Sequence, residues 1–154
     1  MKKHLITLVA AHALAGAALA QVTVSDPWIR ATVPQQTATG AFMQLLAARD
    51  TRLVEVRSPV AGIAEIHHMQ LEGHTMRMHP VDSVALPAGQ SVSLASGGYH
   101  IMLTELKRQL KAGETVPLSL VLEDKSKKRE IVTLQVAVKP LTFVSPHSAG
   151  QGGH

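Results

Sequence analysis

Residues 98–123 read GYHIMLTELKRQLKAGETVPLSLVLE, and they give the clearest indication of the fold class. The stretch begins and ends with short runs rich in apolar and β-branched residues, 98–106 and 115–123, in which several positions alternate between apolar and polar. Turn residues lie between the two runs at Lys111-Ala112-Gly113-Glu114. Each run has the length of a strand, so the stretch predicts two β-strands with a turn between them.

Runs of the same kind occur along most of the chain, and they are separated by turn residues such as Pro87-Ala88-Gly89. They comprise VTV (22–24), WIRATV (28–33), GAFMQLLA (40–47), TRLVEVRS (51–58), AEIHHMQL (64–71) and REIVTLQVAV (129–138). The basic segment KSKKR (125–129) precedes the last run and is predicted to be an exposed hairpin turn. Without an internal repeat, a long linker or a helical stripe, the pattern predicts one all-β domain, a sandwich or a barrel with Greek-key connections.

The first twenty residues have the layout of a secretory signal. Two lysines supply the positive start, residues 5–17 the apolar middle, and Ala18-Leu19-Ala20 the small-residue cleavage site. The apolar part is too short for a membrane span, and no cysteine follows it to carry a lipid. We therefore expect export without membrane insertion. The predicted organisation is a signal peptide over residues 1–20, a domain over 21–141 and a flexible C-terminal tail over 142–154.

The composition excludes several classes of function. The chain has 15 basic and 11 acidic side chains, and loss of Lys2 and Lys3 with the signal leaves 13 against 11, a net charge of +2. One Trp, one Tyr and two Phe make no platform for stacking bases, and no dense basic stripe is present for phosphates. No nucleic acid is therefore expected as a partner. Thiol chemistry is excluded as well, because the chain has no cysteine.

Histidine and methionine are concentrated in one segment. Residues 65–80, EIHHMQLEGHTMRMHP, hold four histidines and three methionines. Side chains two residues apart lie on the same face of a strand. The pairs that share a face in this way are His67 with Met69, Met76 with Met78, and His100 with Met102. Three strands or strand ends can thus each present His or Met side chains on one face.

This combination of donor atoms points to copper. Imidazole nitrogen and thioether sulfur are good ligands for Cu(I), whereas thioether is a poor ligand for Mg, Ca or Zn. A blue-copper electron-transfer site needs a cysteine thiolate, which this chain lacks. No HExxH-like pair is present for a hydrolytic zinc site. A site of two histidines and two methionines would therefore favour copper, and its reduced form in particular.

The spacing of these residues follows a recognisable pattern. Ten residues separate His67 from Met78, twenty-one separate Met78 from His100, and one separates His100 from Met102. This arrangement resembles the PCuAC (DUF461) family of periplasmic copper chaperones, whose signature is H-x10-M-x21-H-x-M. The flanking segments AEIHHM, MRMHPV and GGYHIMLTELKRQLKAGETVPLSLVLE are also similar to that family. The resemblance covers the chain from about Val22 to Val138.

The resemblance implies a cupredoxin-like Greek-key β-sandwich with a solvent-accessible Cu(I) site formed by His67, Met78, His100 and Met102. It also implies a periplasmic metallochaperone that delivers copper by ligand exchange and is not an enzyme. The expected acceptor is subunit II of cytochrome c oxidase, which holds a dinuclear copper centre, or a Sco-type protein, and a monomer is expected. A copper buffer without a dedicated acceptor would use the same four residues, and a metal-free β-sandwich interaction module is the alternative from another class.

The remaining His and Met residues of the segment have separate expectations. Met69 and Met76 are candidates for auxiliary thioethers beside the site, or for side chains that simply shield it. In a regular strand His68 points to the opposite face from His67. His74 follows a glycine in a predicted turn and is expected to be exposed.

The predicted tail contains His147 and His154 and no methionine. Some members of the resembled family carry His- and Met-rich C-terminal extensions that help to capture Cu(II). The tail of this chain, with two histidines and no methionine, has only part of that pattern. The simpler interpretation is a disordered end with incidental histidines. The alternative is a weak Cu(II) site, because oxidised copper prefers nitrogen and oxygen ligands.

Overall fold

The computed structural model describes residues 21–147, which form an all-β domain of ten strands, as the sequence predicts. The strands are β1 Val22–Arg30, β2 Thr39–Ala47, β3 Thr51–Arg57, β4 Ala61–Glu72, β5 Thr75–Val81, β6 Val84–Leu86, β7 Ser91–Leu94, β8 Tyr99–Leu106, β9 Thr115–Asp124 and β10 Arg129–Lys139. Residues 21–147 contain no helix that is long and apolar enough to cross a bilayer.

The strands pair into one ladder that bends at β1. Their order is β5-β4-β8-β2-β1-β10-β9-β3-β6, and β7 pairs with β2 off this path. The pairing of β1 with β2 shifts in register between Ser25 and Trp28, and beyond this bulge residues 28–30 pair with β10 as well. Because a bulge bends its strand, β1 joins a first half of the ladder, β5-β4-β8-β2, to a second half, β10-β9-β3-β6.

One hydrophobic core lies between the two halves. Side chains of β4 and β8, such as Ile66 and Leu103, belong to the same buried cluster as Leu118 and Leu120 of β9 and Val136 of β10. Residues from both halves meet in this cluster, so the two halves face each other, and the prediction of a β-sandwich is confirmed. Burial of each Leu or Ile side chain contributes about 1.5–3 kcal/mol, and no cysteine is available to add a disulfide.

The long predicted strands are present, with ends that differ by a few residues. VTV and WIRATV form the single strand β1, because the bulge carries the chain past Asp26 and Pro27 without a break. The sequence pattern does not reveal β6 and β7, whose three and four residues are too few for a periodic signal. The predicted hairpin turn between β9 and β10 is confirmed, and the Asp124 carboxylate accepts hydrogen bonds from the backbone N–H groups of Ser126 and Lys128.

Residues 142–147 of the predicted tail are packed against β1. The ring of Phe143 meets Trp28 edge-on, with ring centroids 4.9 Å apart. Ser145 is buried, and His147 Nε2 lies 2.7 Å from Asp26 Oδ2. This part of the predicted flexible tail is therefore held on the domain surface. The rest of the predicted tail, with His154, and the predicted signal peptide lie outside the described residues.

Candidate metal centre

The pairing of β4 with β8 brings together the two histidines of the predicted site. His67 on β4 is directly opposite His100 on β8, and Glu65 is opposite Met102. The His67 and His100 rings have centroids 5.9 Å apart and are tilted by 52°. Directly opposed residues of an antiparallel pair point to the same side of the sheet. His67, His100 and Met102 therefore lie on one face.

The pairing of β4 with β5 brings the methionines to the same face. Met69 on β4 is directly opposite Met78, and the next pair on the same face is Leu71 with Met76. The tight turn between these strands contains Gly73, whose positive φ of 64° suits glycine. The resulting set, called the site face below, consists of Glu65, His67, Met69, Met76, Met78, His100 and Met102.

One nitrogen of each imidazole on the site face has a hydrogen-bond acceptor. His67 Nε2 lies 2.9 Å from Glu65 Oε2, and His100 Nδ1 lies 3.4 Å from the carbonyl oxygen of Gly98. A carboxylate and a carbonyl can only accept, so each of these nitrogens donates its N–H and the other ring nitrogen keeps a lone pair. His67 Nδ1 is buried and has no hydrogen-bond partner within the described part of the chain. A metal ion is the kind of partner that this nitrogen can take.

The site face passes from a buried end to an exposed end. His100 is only 5% exposed, whereas Met78 is 45% and Met76 is 50% exposed. The two methionines lie on β5, which is an edge strand of the ladder. Access to the site is therefore widest from the β5 side.

Aromatic rings close the opposite end of the site face beside His100. The Phe42 ring centroid lies 6.3 Å from that of His100, and Trp28 packs on Phe42 at 4.6 Å. Gly40 makes room for this layer, because a Cβ at its position would lie 2.6 Å from the Phe42 ring. The rings keep water from one side of His100. The sequence gives no local signal of this contact, since Phe42 lies far from His100 in the chain.

The other histidines of the segment lie elsewhere. The His68 ring stacks on Tyr99 with centroids 4.1 Å apart, and its Nδ1 accepts a hydrogen bond from the side-chain amide of Gln70. His79 is directly opposite His68 and is hydrogen-bonded to Glu72. His68 thus points away from His67, as predicted for a regular strand. His74 is exposed in the β4–β5 turn, also as predicted.

The site face offers imidazole nitrogen and thioether sulfur as donor atoms, and thioether sulfur is a soft metal ligand. Within residues 21–147 there is no group of three or more His, Cys, Asp or Glu side chains placed to hold a metal ion. A hard cation or a zinc ion needs such a group. Two imidazoles surrounded by thioethers form a donor set of the kind that selects Cu(I).

Burial also determines the protonation state of His100. Loss of solvation disfavours the imidazolium ion and lowers the pKa of His100 below its ordinary value of 6.5. The hydrogen bond to the Gly98 carbonyl opposes this decrease in pKa, and repulsion from His67 adds to it. His100 is therefore neutral at pH 7, which is the form in which imidazole binds metals.

The fold and the site face together define a β-sandwich domain of the PCuAC type. Residues 22–138 match the family described as putative lipoprotein LpqE-like, and the chain belongs to this family. The resemblance inferred from the spacing of the histidines and methionines is thereby confirmed as a family relationship.

A relative known by sequence matches most of this chain. The putative lipoprotein Lxx21020 of Leifsonia xyli subsp. xyli (strain CTCB07) is 30% identical over 106 residues, which are 68% of this chain and 64% of the relative. The chain thus spans less than two thirds of that relative's length.

Two solved proteins share the fold. The copper-bound PCuAC domain from PmoF2 superimposes with a TM-score of 0.63 at 23% identity and covers 80% of this chain and 97% of its own. Apo-DR1885 from Deinococcus radiodurans has a TM-score of 0.57 at 29% identity over 90% of this chain and 95% of its own. The CuI form of DR1885 has a TM-score of 0.53 at 29% identity, covering 81% and 83%. The cupredoxin-like class of the predicted sandwich is confirmed by these structures.

The protonation of His100 can be measured without metal. In an NMR titration of the folded apo protein, we expect the His100 ring to protonate with a midpoint below 6.5, because burial penalises its charged form. In the denaturant-unfolded chain the same ring should titrate near about 6.5. Folding then weakens proton binding at His100, so stability should fall as pH decreases below that value. A folded-state midpoint at or above 6.5 would contradict the burial of this ring.

Proposed function

We propose that this protein is a periplasmic metallochaperone that binds one Cu(I) through His67, Met78, His100 and Met102 and passes it on by ligand exchange. The observation that carries the proposal is the buried Nδ1 of His67, which has no partner among the described residues and lies on a face shared with thioethers and a second imidazole. Buried polar atoms without partners are rare in proteins. A soft metal ion would satisfy this nitrogen and use the neighbouring sulfur atoms at the same time.

The relatives support copper as the metal. DR1885, which is 29% identical to this chain, is known both as an apo protein and in a CuI form. The PmoF2 domain, which shares the fold, is known with copper bound. The donor atoms favour the reduced ion, because thioether sulfur is a soft ligand and no thiolate or carboxylate cluster competes with it within residues 21–147.

The difference in exposure across the site face supports transfer rather than storage. An incoming protein meets Met78 on the edge strand first, while His100 is still covered by Phe42. Its ligands can therefore replace a thioether before the less exposed imidazoles of His67 and His100 release the ion, and copper need never be free in solution. Such an exchange changes no covalent bond of the substrate, so under this proposal the protein is not an enzyme.

We further propose that delivery serves the dinuclear copper centre of cytochrome c oxidase. The acceptor would be subunit II of the oxidase or a Sco-type protein, and the chaperone would act as a monomer. The signal-like residues 1–20 and the lipoprotein description of the family support a location in the cell envelope. A copper buffer would use the same ligands, but it would not need a half-exposed ligand at the sheet edge.

Substitution of the ligands tests the site. Met78→Ala and Met102→Ala should each weaken Cu(I) binding by at least about tenfold, since even outer-shell partners of metal ligands contribute about 10–100-fold to affinity. His74→Ala is the matched control, because His74 lies on the same ribbon but is exposed in the turn. Affinities are measured anaerobically by competition with a Cu(I) chelator. Equal losses in all three variants would show that Met78 and Met102 are not ligands and would contradict the proposed site.

A transfer experiment separates a chaperone from a buffer. The Cu(I)-loaded protein is mixed with the apo copper-binding domain of subunit II or with an apo Sco-type protein, and the metal is followed after rapid separation of the two proteins. In ligand exchange, the transfer rate should rise with acceptor concentration and exceed the rate of spontaneous Cu(I) release. Spontaneous release is measured with a chelator too bulky to reach the site face. A transfer rate equal to that of spontaneous release for both acceptors would contradict the chaperone proposal and favour the buffer.

A further inference from the structure

We infer that Glu65 is a positioning residue that holds His67 as the Nε2–H tautomer, so that Nδ1 presents its lone pair to Cu(I). The inference rests on the proposed function for the identity of the metal, Cu(I). The hydrogen bond itself is a property of the apo protein and can be tested separately.

The backbone fixes the approach of the two side chains. Glu65 and His67 are two residues apart on β4, so they project to the same side of the sheet. The contact between Glu65 Oε2 and His67 Nε2 measures 2.9 Å. The regular pairing of both residues with β8 holds this part of β4 in place. The contact therefore follows from the strand geometry and needs no special loop.

The contact selects one tautomer of His67. A carboxylate has no proton to donate at neutral pH, so the bond requires the proton on Nε2. The other tautomer would carry its proton on Nδ1 and leave a buried donor without an acceptor, because no described group pairs with Nδ1. The Nε2–H tautomer avoids that donor and leaves a nitrogen lone pair inside the site. Metal-binding histidines in proteins commonly donate their other N–H to a carboxylate or carbonyl group in this way.

Glu65 has the chemistry of a supporting group rather than of a ligand. Its carboxylate oxygens are hard donors, which Cu(I) does not favour, and its side chain is 47% exposed while that of His67 is 15% exposed. It lies directly opposite Met102, at the border of the predicted ligand set. His100 has the corresponding acceptor in the backbone carbonyl of Gly98. Of the two supports, only the one at His67 comes from a side chain and can be removed by substitution.

The first test examines the apo protein by NMR. Long-range ¹H–¹⁵N spectra of the wild type should show the His67 ring with a protonated Nε2 and a bare Nδ1. In Glu65→Ala the two ¹⁵N shifts should move toward each other, because the ring then exchanges between tautomers and orientations. Glu65→Gln keeps an oxygen that can accept the same N–H and should keep the wild-type pattern. A wild-type pattern in Glu65→Ala would overturn the inference.

The second test measures Cu(I) affinity in the same variants. Glu65→Ala should weaken binding by about 10–100-fold, the usual cost of removing an outer-shell partner, and Glu65→Gln should retain most of the affinity. Glu72→Ala is the matched control, since it removes the same charge from the same ribbon at the carboxylate bonded to His79 on the other face.

Three affinity results would overturn the inference: no change in Glu65→Ala, an equal loss in Glu72→Ala, or an equal loss in Glu65→Gln. The last two would indicate an effect of charge alone. Failure of the wild type to bind Cu(I) would instead contradict the proposed function, while the NMR result would still report on Glu65.

Discussion

The register between β4 and β8 is the constraint on which the site depends. Ile66 and Ile101 are directly opposite each other, and both are buried in the core. The next pair along the strands, His67 with His100, points to the other side. A slip of one residue would move the histidines into the core and the isoleucines out of it. An unpartnered polar group in an apolar interior costs about 1–3 kcal/mol by protein mutational data, so burial of the isoleucines fixes the register and thereby aligns the histidines.

The same arrangement gives the two ends of the site different properties. The His100 end is closed by Phe42 and Trp28, and burial there keeps the imidazole neutral and ready to bind a metal. The Met78 end lies on an edge strand and faces solvent. Under the proposed function, the buried end holds the ion and the exposed end, with its neutral thioether, lets another protein take it. Both requirements of a copper carrier are thus compatible with one face of a three-stranded platform.

The sequence predicts the local parts of this structure better than the contacts between them. Alternation along a strand places His67 with Met69 and His100 with Met102, and the structure agrees, because each relation depends only on neighbouring residues. The pairing of β4 with β8 is not encoded in either strand alone, and the family resemblance predicts only that His67 and His100 belong to one site. The Phe42 layer depends on β2 lying beside β8 and on the space left by Gly40, and periodicity carries no information about either.

Glu65 and the C-terminal segment show two other limits of sequence reasoning. Alternation places Glu65 on the same face as His67, but only the hydrogen-bond geometry, and an Nδ1 without a partner in the described part of the chain, assign it a role. Phe143 lies in a short segment without periodicity, so its packing on Trp28 was not predicted. That the four residues of the signature bind copper remains a prediction from chemistry and family resemblance.

X-ray absorption at the copper edge of the Cu(I)-loaded protein tests this central claim most directly. The method reports the oxidation state and the neighbours of the ion without any substitution in the chain. Binding by His67, Met78, His100 and Met102 predicts one reduced copper per protein with two nitrogen and two sulfur neighbours. A spectrum that requires only nitrogen and oxygen neighbours would contradict the claim, because it would exclude both methionines from the site.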